Sequence, residues 1–326
     1  MLRGIAIILV MVGHGVGLLV DTDIIPSDVG GFIYDAIYTF HMPLFFMISG
    51  YLYRNNNEKA FNIIIKNVIT FYIPYLFLNY LYWFERAIAS GVFGIQLMRE
   101  EYPGGIELLW RGDWLTWFLL SLMLVKIVFN LLDTYVSDIS AFVMFSLFFW
   151  LYDIFSCAVL YYLQWGVFFC LGYIMNRYSV ETKRKSILYI GCINLLLFGI
   201  ERYALCGLDE IVKIFTGVSV FGMYMCIKKI PHIKLLALCG KNSMVIYIIH
   251  GLSQYVCYYV ITEILHIRVS FILLSFMIVL QLLLAFLVVK LFTEVKYLHW
   301  LQIIFYPYKY IVEKKRQASA ADVNGR

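Results

Sequence analysis

Charged residues are scarce in this sequence. Asp, Glu, Lys and Arg make up 14% of its 326 residues, whereas 62% of the residues are hydrophobic. A soluble domain contains roughly 45–50% apolar and about 25% charged residues, so this composition excludes an ordinary soluble domain and favours a polytopic membrane protein. The net charge of +5 does not indicate nucleic-acid binding, because the basic residues lie in short loops between apolar runs.

Metal-ligand spacings and disulfide patterns are also missing. None of the seven cysteines forms a CxxC pair or a Cys/His arrangement. All lie within or beside apolar stretches, so we interpret them as small buried hydrophobes and predict neither a metal site nor a bound cofactor. The first apolar run lacks a small-x-small cleavage site, so we expect it to remain as a membrane span. We find neither an internal repeat nor a second soluble domain.

Long apolar runs occupy most of the chain. Runs of about 17–25 apolar residues predict transmembrane helices. The sequence contains ten of them, at residues 4–20, 36–53, 62–84, 114–132, 139–156, 158–176, 186–204, 211–227, 243–262 and 271–292, and Asp153 is the only clear break between the fifth and the sixth. We therefore expect an all-α polytopic membrane protein with a single domain at 1–316 and a disordered tail at 317–326.

The positions of Lys and Arg predict the orientation in the membrane. If the N-terminus is cytoplasmic, the cytoplasmic side carries most of the 26 basic residues, and those left outside are Arg86, Arg99, Arg111, Arg202, Lys213 and Arg268. Because Lys and Arg concentrate in cytoplasmic loops, we expect both termini in the cytoplasm. The repeated bias also favours an even number of spans in a multi-pass protein of the cytoplasmic membrane.

The first span, RGIAIILVMVGH, combines a cation with a deeply placed histidine. Arg3 and His14 are eleven residues apart, about three helical turns, so they share a face and His14 lies about 16 Å farther along the axis. Arg3 is then at the cytoplasmic mouth, as a positive-inside anchor or as a binding residue. His14 lies near mid-membrane, where ionisable groups usually serve function, although a helix–helix hydrogen bond is the plainer alternative. Gly13 and Gly17 form a GxxxG pair, which we interpret as close packing with a neighbouring helix.

The second span, TFHMPLFFMISGYLYR, brings another histidine to a similar depth. His41 is thirteen residues from Arg54, about 20 Å above the cytoplasmic end. Pro43 cannot donate to the carbonyl of Thr39, which predicts a kink and an open backbone acceptor beside His41. Ser49, lower in the same helix, either bonds back to its own helix or faces a ligand.

The ninth span, KNSMVIYIIHG, carries the third deep histidine. His250 lies nine residues beyond Lys241, about 14 Å from the inner surface. Three histidines therefore share one depth, which is necessary for contact and not sufficient. Tyr247 and Trp117 are further candidates to line a cavity, and packing is the plainer alternative for Trp117. The remaining histidines are expected at the surface: His232, His266 and His299.

Two stretches carry a family resemblance. RGIAIILVMVGH followed by FHMPLFFMISGY resembles the acyltransferase 3 family of membrane O-acyltransferases, in the branch with fucose-4-O-acetylase-like and exopolysaccharide O-acetyltransferases. WFLLSLMLV and KNSMVIYIIH are similar to further blocks of that branch, in the expected order, so the resemblance covers about residues 3–292. It implies about ten transmembrane helices in a bacterial membrane and a cytoplasmic acyl-coenzyme A as donor. The implied acceptor is a hydroxyl of a cell-surface or envelope carbohydrate, and the acyl group is acetyl or another short acyl group.

The same resemblance assigns residues by position. The Arg-x10-His pair of the family corresponds to Arg3 and His14, and its Ser-Gly-Tyr-Leu block corresponds to Ser49 and the three residues after it, followed by Arg54. Guanidinium groups at the inner mouth suit the phosphates of coenzyme A. We therefore expect Arg3, Arg54 and Ser49 to bind the donor.

The histidines are the expected catalytic groups. His14 is expected to remove the proton of the acceptor hydroxyl as a general base, and transient acylation of His14 is the alternative. His41 is the second expected catalytic residue. His41 and His250 would orient His14, hydrogen-bond the acceptor or stabilise the developing oxyanion.

Two other functions compete with acyl transfer. Mid-depth histidines also suit a proton-coupled exporter of a glycan or its precursor. Transporters tend to show paired half-chain repeats, and this sequence has none that we find. A membrane-bound sensor or assembly partner is the third alternative, for which the short loops offer little surface.

Overall fold

The computed structural model of the protein describes residues 1–54, 59–93, 104–112, 115–178, 233–267 and 269–314, and every regular element within these ranges is helical. The helices are α1 (Leu2–Asp21), α2 (Ser27–Tyr38), α3 (His41–Tyr51), α4 (Ala60–Asn67), α5 (Ile73–Phe93), α6 (Trp117–Tyr135), α7 (Asp138–Phe155), α8 (Ala158–Leu163), α9 (Gly166–Arg177), α10 (Lys234–Lys241), α11 (Ser243–Tyr259), α12 (Ser270–Glu294) and α13 (Gln302–Phe305). Short 3₁₀ or π segments lie at Val68–Tyr72, Gly105–Leu109, Val260–Ile264 and Lys296–Leu301.

Several of these helices are long and apolar enough to cross a membrane. In the described part of the chain they are Leu2–Asp21, Ser27–Tyr51, Ala60–Glu85, Ala158–Arg177, Ser243–Ile264 and Ser270–Glu294. The predicted span at 139–156 corresponds to α7, whose apolar part is shorter, and the predicted span at 114–132 overlaps α6. The predicted spans at 186–204 and 211–227 lie outside the described residues. The helical class is therefore confirmed where the chain is described, whereas ten spans and cytoplasmic termini stay predictions.

The second predicted span is longer than expected and is broken. It runs from Ser27 to Tyr51, and α2 and α3 are separated by Thr39 and Phe40. Pro43 lies in the first turn of α3, where its missing N–H leaves no helical hydrogen bond unmade. An interruption is thus present immediately before His41, where a kink was expected, although Pro43 itself is accommodated in the first turn of α3 and does not break that helix.

The fifth and sixth predicted spans are separate helices. Asp153 lies inside α7, and the turn comes three residues later at Ser156, whose φ of 47° is in the left-handed region. Cys157 then adopts an extended conformation before α8 begins. The boundary expected at 156–158 is therefore confirmed, although a left-handed serine and not the acidic residue makes the break.

The described chain forms two compact units. The first contains Met1–Arg54 and Val136–Leu282, and the second contains Asn55–Tyr135 and Leu283–Arg326. The single domain expected at 1–316 stays a prediction, and the tail expected at 317–326 lies outside the described residues.

Glycines bring α3 and α9 of the first unit into backbone contact. A Cβ on Gly50 would overlap the carbonyl oxygen of Phe169, and a Cβ on Gly172 would overlap the carbonyl oxygen of Met47. Small residues permit such close approach of membrane helices, where dispersion contacts supply much of the packing energy. Each helix therefore contributes a glycine that lets it contact the backbone of the other.

An ion pair ties the end of α9 to the start of α7. Arg177 Nη1 lies 2.7 Å from Asp138 Oδ1 and 2.8 Å from the hydroxyl of Tyr173. The amide of Asn176 donates to the carbonyl of Tyr51 over 2.8 Å, which adds the end of α3. These contacts hold the C-terminal ends of α3 and α9 next to each other and place the N-terminal end of α7 beside α9.

The second unit is held by polar side chains at α5. The buried Asn79 accepts from the hydroxyl of Thr116 and donates to the carbonyl of Leu108 over 3.0 Å. The hydroxyl of Tyr72 donates to the carbonyl of Leu109 over 3.0 Å. The segment Gly105–Leu109 is thereby held against α5.

Replacing Gly50 by Ala should destabilise the protein by about 1–3 kcal/mol, because the added methyl group meets a backbone carbonyl that cannot rotate away. Gly17→Ala is the matched control, since its Cβ would lie 3.4 Å from the ring of Tyr34. Both changes raise helix propensity by a similar amount, so the difference isolates the clash. The measurement is thermal unfolding of the purified proteins in detergent. Equal midpoints for the two variants would contradict the α3–α9 contact.

Candidate active site

A glycine contact sets the register of α1 against α10 and α11. A Cβ on Gly4 would overlap the carbonyl oxygen of Leu236, and a Cβ on Gly240 would lie 3.0 Å from the backbone nitrogen of Gly4. His14 follows Gly4 by ten residues, and His250 follows Gly240 by ten residues. Because of the backbone contact, Gly4 and Gly240 are at the same height, and only Asn242 separates α10 from α11. Ten further residues along each segment bring the two histidines to similar heights.

The rings of His14 and His250 do meet. Their centroids are 5.5 Å apart, with an angle of 24° between the ring planes. Both side chains are buried, with exposed fractions of 8% for His14 and 1% for His250. The buried Tyr247 lies beside His250, with a distance of 5.9 Å between the two ring centroids.

Tyr38 connects His14 to His41. Its hydroxyl lies 2.8 Å from Nδ1 of His14, and its ring meets the ring of His41 edge-on at a centroid distance of 4.5 Å. His41 is 1% exposed. The three deep histidines therefore converge, and we refer to His14, His41 and His250 together with Tyr38 as the histidine cluster.

Glycines on α1 make the space that Tyr38 needs. A Cβ on Gly13 would lie 3.0 Å from the ring of Tyr38, and a Cβ on Gly17 would lie 3.4 Å from the ring of Tyr34. The two tyrosine rings stack on each other at 3.9 Å. The GxxxG pair thus packs against a neighbouring helix, as expected, and the groups received there are the aromatic rings of α2.

Backbone carbonyls fix the tautomers of two histidines. Nδ1 of His41 lies 2.8 Å from the carbonyl oxygen of Ile37, and Nδ1 of His250 lies 3.2 Å from that of Ile246. A carbonyl oxygen only accepts, so each Nδ1 carries the hydrogen. In the neutral rings, Nε2 of both histidines then carries a lone pair. Such a site receives hydrogen bonds from hydroxyl groups and can remove a proton.

Two buried glutamines hold the histidine backbone. The amide nitrogen of Gln254 donates to the carbonyl oxygen of His14 over 2.9 Å, and that of Gln281 lies 3.4 Å from the carbonyl oxygen of His250. Sequence reasoning missed Tyr38 and both glutamines. The available signals were spacings, because Tyr38 lies three residues before His41 and Gln254 lies four residues after His250.

The other predicted site residues lie at the helix ends. Arg3 is half-buried in the first turn of α1, Ser49 is half-buried near the end of α3, and Arg54 is exposed just beyond α3. Trp117 is half-buried at the start of α6 in the second unit. Arg3 thus lies on the helix of His14, eleven residues before it, and the roles of all four residues stay predictions.

A metal centre finds no support in the part of the chain that the structure describes. No three side chains of His, Cys, Asp or Glu there are arranged to hold a metal ion. The described cysteines form no disulfide with one another: Cys170, Cys239 and Cys257 are buried, as expected, whereas Cys157 is exposed and the expectation is wrong for it.

Comparison with known proteins identifies a matching family and a related protein. The family described as "Acyltransferase domain" matches residues 1–294. Nodulation protein NolL of Sinorhizobium fredii (strain NBRC 101917 / NGR234) is 26% identical over 288 residues, which cover 76% of this chain and 75% of that protein. No solved structure matches.

Ring nitrogen chemical shifts should reveal the tautomers in protein labelled with ¹⁵N-histidine. We expect His41 and His250 to carry hydrogen on Nδ1 and a lone pair on Nε2, because each Nδ1 donates to a carbonyl. His41→Gln and His250→Gln variants assign the two signals, and Tyr38→Phe should shift the signals of His14 more than those of His250. Hydrogen on Nε2 of both residues would contradict the geometry.

Proposed function

This chain belongs to the acyltransferase family whose domain spans residues 1–294, and from that premise we propose that it moves an acetyl or short acyl group from cytoplasmic acyl-coenzyme A to a carbohydrate hydroxyl. The family membership confirms the resemblance of the first two spans, and it makes the protein a multi-pass membrane enzyme that transfers acyl groups. The proposed acceptor is a polysaccharide or lipid-linked sugar of the cell surface or envelope.

The convergence of three histidines from α1, α3 and α11 is the observation that carries the proposal. Buried polar groups in an apolar interior are expensive unless they are paired or serve function. Here the rings of His14 and His250 stack, the Tyr38 hydroxyl reaches His14, and the ring of Tyr38 meets His41 edge-on. A proton-accepting centre of this kind is what hydroxyl acylation requires.

The donor is proposed to enter from the end of α1 where Arg3 lies. Coenzyme A carries several phosphate charges, which guanidinium groups bind well. Arg3 begins the helix that carries His14, and Arg54 follows the helix that begins with His41. The thin pantetheine arm would extend along α1, past the depth of Ser49, and present the thioester to the cluster. Positive charge concentrated at this end supports a cytoplasmic location for it.

His14 is proposed to be the general base. Nδ1–H of His14 would donate to the Tyr38 oxygen, which leaves Nε2 to remove the proton from the acceptor hydroxyl, in the way a third group orients the histidine of a catalytic triad. The acceptor oxygen then attacks the thioester carbonyl, a C–O bond forms and the C–S bond breaks. The proton passes from His14 to the coenzyme A thiolate, so the products are an ester and a free thiol.

His41 and His250 are proposed to serve the acceptor. Their Nε2 atoms carry lone pairs in the neutral rings, since each Nδ1 donates to a backbone carbonyl. A lone pair accepts a hydrogen bond from a hydroxyl and offers nothing to an oxyanion. The geometry therefore favours acceptor binding over oxyanion stabilisation for these two residues. Tyr247, packed beside His250, would form part of the wall of this site.

Replacing His14 by Ala should lower acyl transfer at least about 100-fold while the protein still folds and inserts, because the general base is lost. The measurement is transfer of label from radioactive acetyl-coenzyme A to glycan in membranes that contain the variant. His299→Ala is the matched control, since His299 is exposed and bonds to the carbonyl of Thr293.

Near wild-type transfer by the His14→Ala protein would remove His14 from the chemistry. If the glycan instead crosses the membrane unesterified in a manner that depends on the wild-type protein, the chain is an exporter and the proposed function is wrong.

Replacing Arg3 by Gln should raise the KM for acetyl-coenzyme A about tenfold with little change in kcat, as expected for the loss of one charge-assisted hydrogen bond to phosphate. Lys290→Gln is the control, because it removes an exposed cation that pairs with Glu294 at 3.9 Å. An unchanged KM for Arg3→Gln would exclude Arg3 from the donor site.

A further inference from the structure

Two hydrogen-bond acceptors, one in the histidine cluster and one beside it, are buried without a partner among the described residues. They are Nε2 of His250 and Oε1 of Gln254. The exposed fractions of the two residues are 1% and 2%. An unpaired buried polar atom is destabilising, because it loses its hydrogen bonds to water and gains none in return, so a pair of them at a candidate active site points to a ligand that supplies hydrogens.

The surrounding contacts hold both atoms in place. His250 donates through Nδ1 to the carbonyl of Ile246, which leaves Nε2 as the accepting atom. Gln254 donates through its amide nitrogen to the carbonyl of His14. Because that carbonyl can only accept, the amide nitrogen must occupy that end of the side chain, and the oxygen occupies the other. Neither acceptor becomes a donor by a simple flip.

The two residues lie on one face of α11. His250 and Gln254 are four residues apart on α11, which is about 6 Å along the axis and close to one turn. A ligand that satisfies both must donate two hydrogen bonds from neighbouring positions. Two hydroxyl groups on one sugar ring have this chemistry.

The amide N–H groups of the pantetheine arm could also donate, but their direction of approach is less suitable. The start of α11 follows Gly240, which packs against Gly4 beside Arg3, at the end proposed for donor entry. Gln254 lies fourteen residues beyond Gly240 and one turn beyond His250. Along α11, Gln254 is therefore farther than His250 from the end proposed for donor entry.

We propose that His250 and Gln254 form a recognition site for two non-reacting hydroxyl groups of the carbohydrate acceptor, a role that rests on the proposed function. His250 Nε2 accepts from one hydroxyl and Gln254 Oε1 accepts from the other. The same amide of Gln254 holds the backbone of His14, so one side chain links acceptor recognition to the position of the base. An acceptor that lacks one of the hydroxyls leaves a buried oxygen or nitrogen unpaired and is discriminated against.

The test compares substrates and variants together. Methyl glycopyranosides that the wild-type protein acylates from acetyl-coenzyme A are assayed beside their monodeoxy analogues. For at least one position we expect the deoxy analogue to lose about tenfold in kcat/KM. Gln254→Met keeps the volume of the side chain and removes the oxygen. For this variant we expect the ratio of kcat/KM for the parent sugar to kcat/KM for the deoxy analogue to fall to about one. The KM for acetyl-coenzyme A should stay within about twofold of wild type.

Two further variants separate recognition from structure. Gln254→Glu, as a neutral carboxyl group, retains both an acceptor oxygen and an O–H donor for the His14 carbonyl, so it should recover part of the preference even if Gln254→Met folds poorly. Gln164→Met is the matched control, because Gln164 is a buried glutamine whose amide donates to the carbonyl of Tyr161 nearby in the chain. We expect it to keep the wild-type preference.

The outcomes are distinct. If Gln254→Met and Gln254→Glu both keep the full preference for the parent sugar, the recognition site is wrong. If Gln254→Met raises the KM for acetyl-coenzyme A and leaves the sugar preference intact, Gln254 contacts the pantetheine amides and the proposal is overturned. If the wild-type protein acylates the glycan of its membranes and no glycoside, recognition through two hydroxyls of one sugar ring is wrong. If it acylates neither glycan nor glycoside, the proposed function itself fails.

Discussion

The close approach of α1 to α10, at Gly4 and Gly240, sets the height of the polar groups in the first unit. Any side chain larger than hydrogen at Gly4 would overlap the Leu236 carbonyl, so the helices would have to separate or slide. If the register of the two helices changes by one residue, each contact position is taken by a side chain that lies about 1.5 Å along the axis and about 100° around it. His14 and His250 would then no longer stack. The chemistry proposed for the cluster therefore depends on contacts about three turns away from it.

The same interior explains why the polar groups meet each other. Membrane-embedded imidazoles and amides find no water to pair with, so neighbouring polar groups become their partners. Tyr38 pairs with His14, and Gln254 pairs with the His14 backbone. On His250 and Gln254, the atoms left without a partner among the described residues are both acceptors. Such an excess of acceptors over donors suits the binding of hydroxyl groups, which is the chemistry proposed for this site.

Much of this arrangement was accessible from sequence, and the reasons differ by residue. The similar depths of His14, His41 and His250 followed from helical rise and from the positions of Arg3, Arg54 and Lys241, because a regular helix converts sequence distance into height. Their convergence did not follow, since azimuth depends on which helices pack together. Tyr38 and Gln254 escaped notice because tyrosine and glutamine in apolar runs have many ordinary packing roles. A kink near His41 was expected from Pro43. The start of the second span at Ser27 was not expected, because most of the first residues of α2 are polar or small and do not extend the apolar run.

The fit of Tyr38 into the space above Gly13 couples two positions under mutation. A methyl group at position 13 would press on the Tyr38 ring and on Ile37, and a smaller residue at position 38 would relieve the pressure only by deleting the hydroxyl that reaches His14. No single compensating change restores both the packing and the hydrogen bond. Substitutions at positions 13 and 38 are therefore constrained together. A variant that has lost both residues can regain them one at a time only through an intermediate that lacks either the packing or the hydrogen bond.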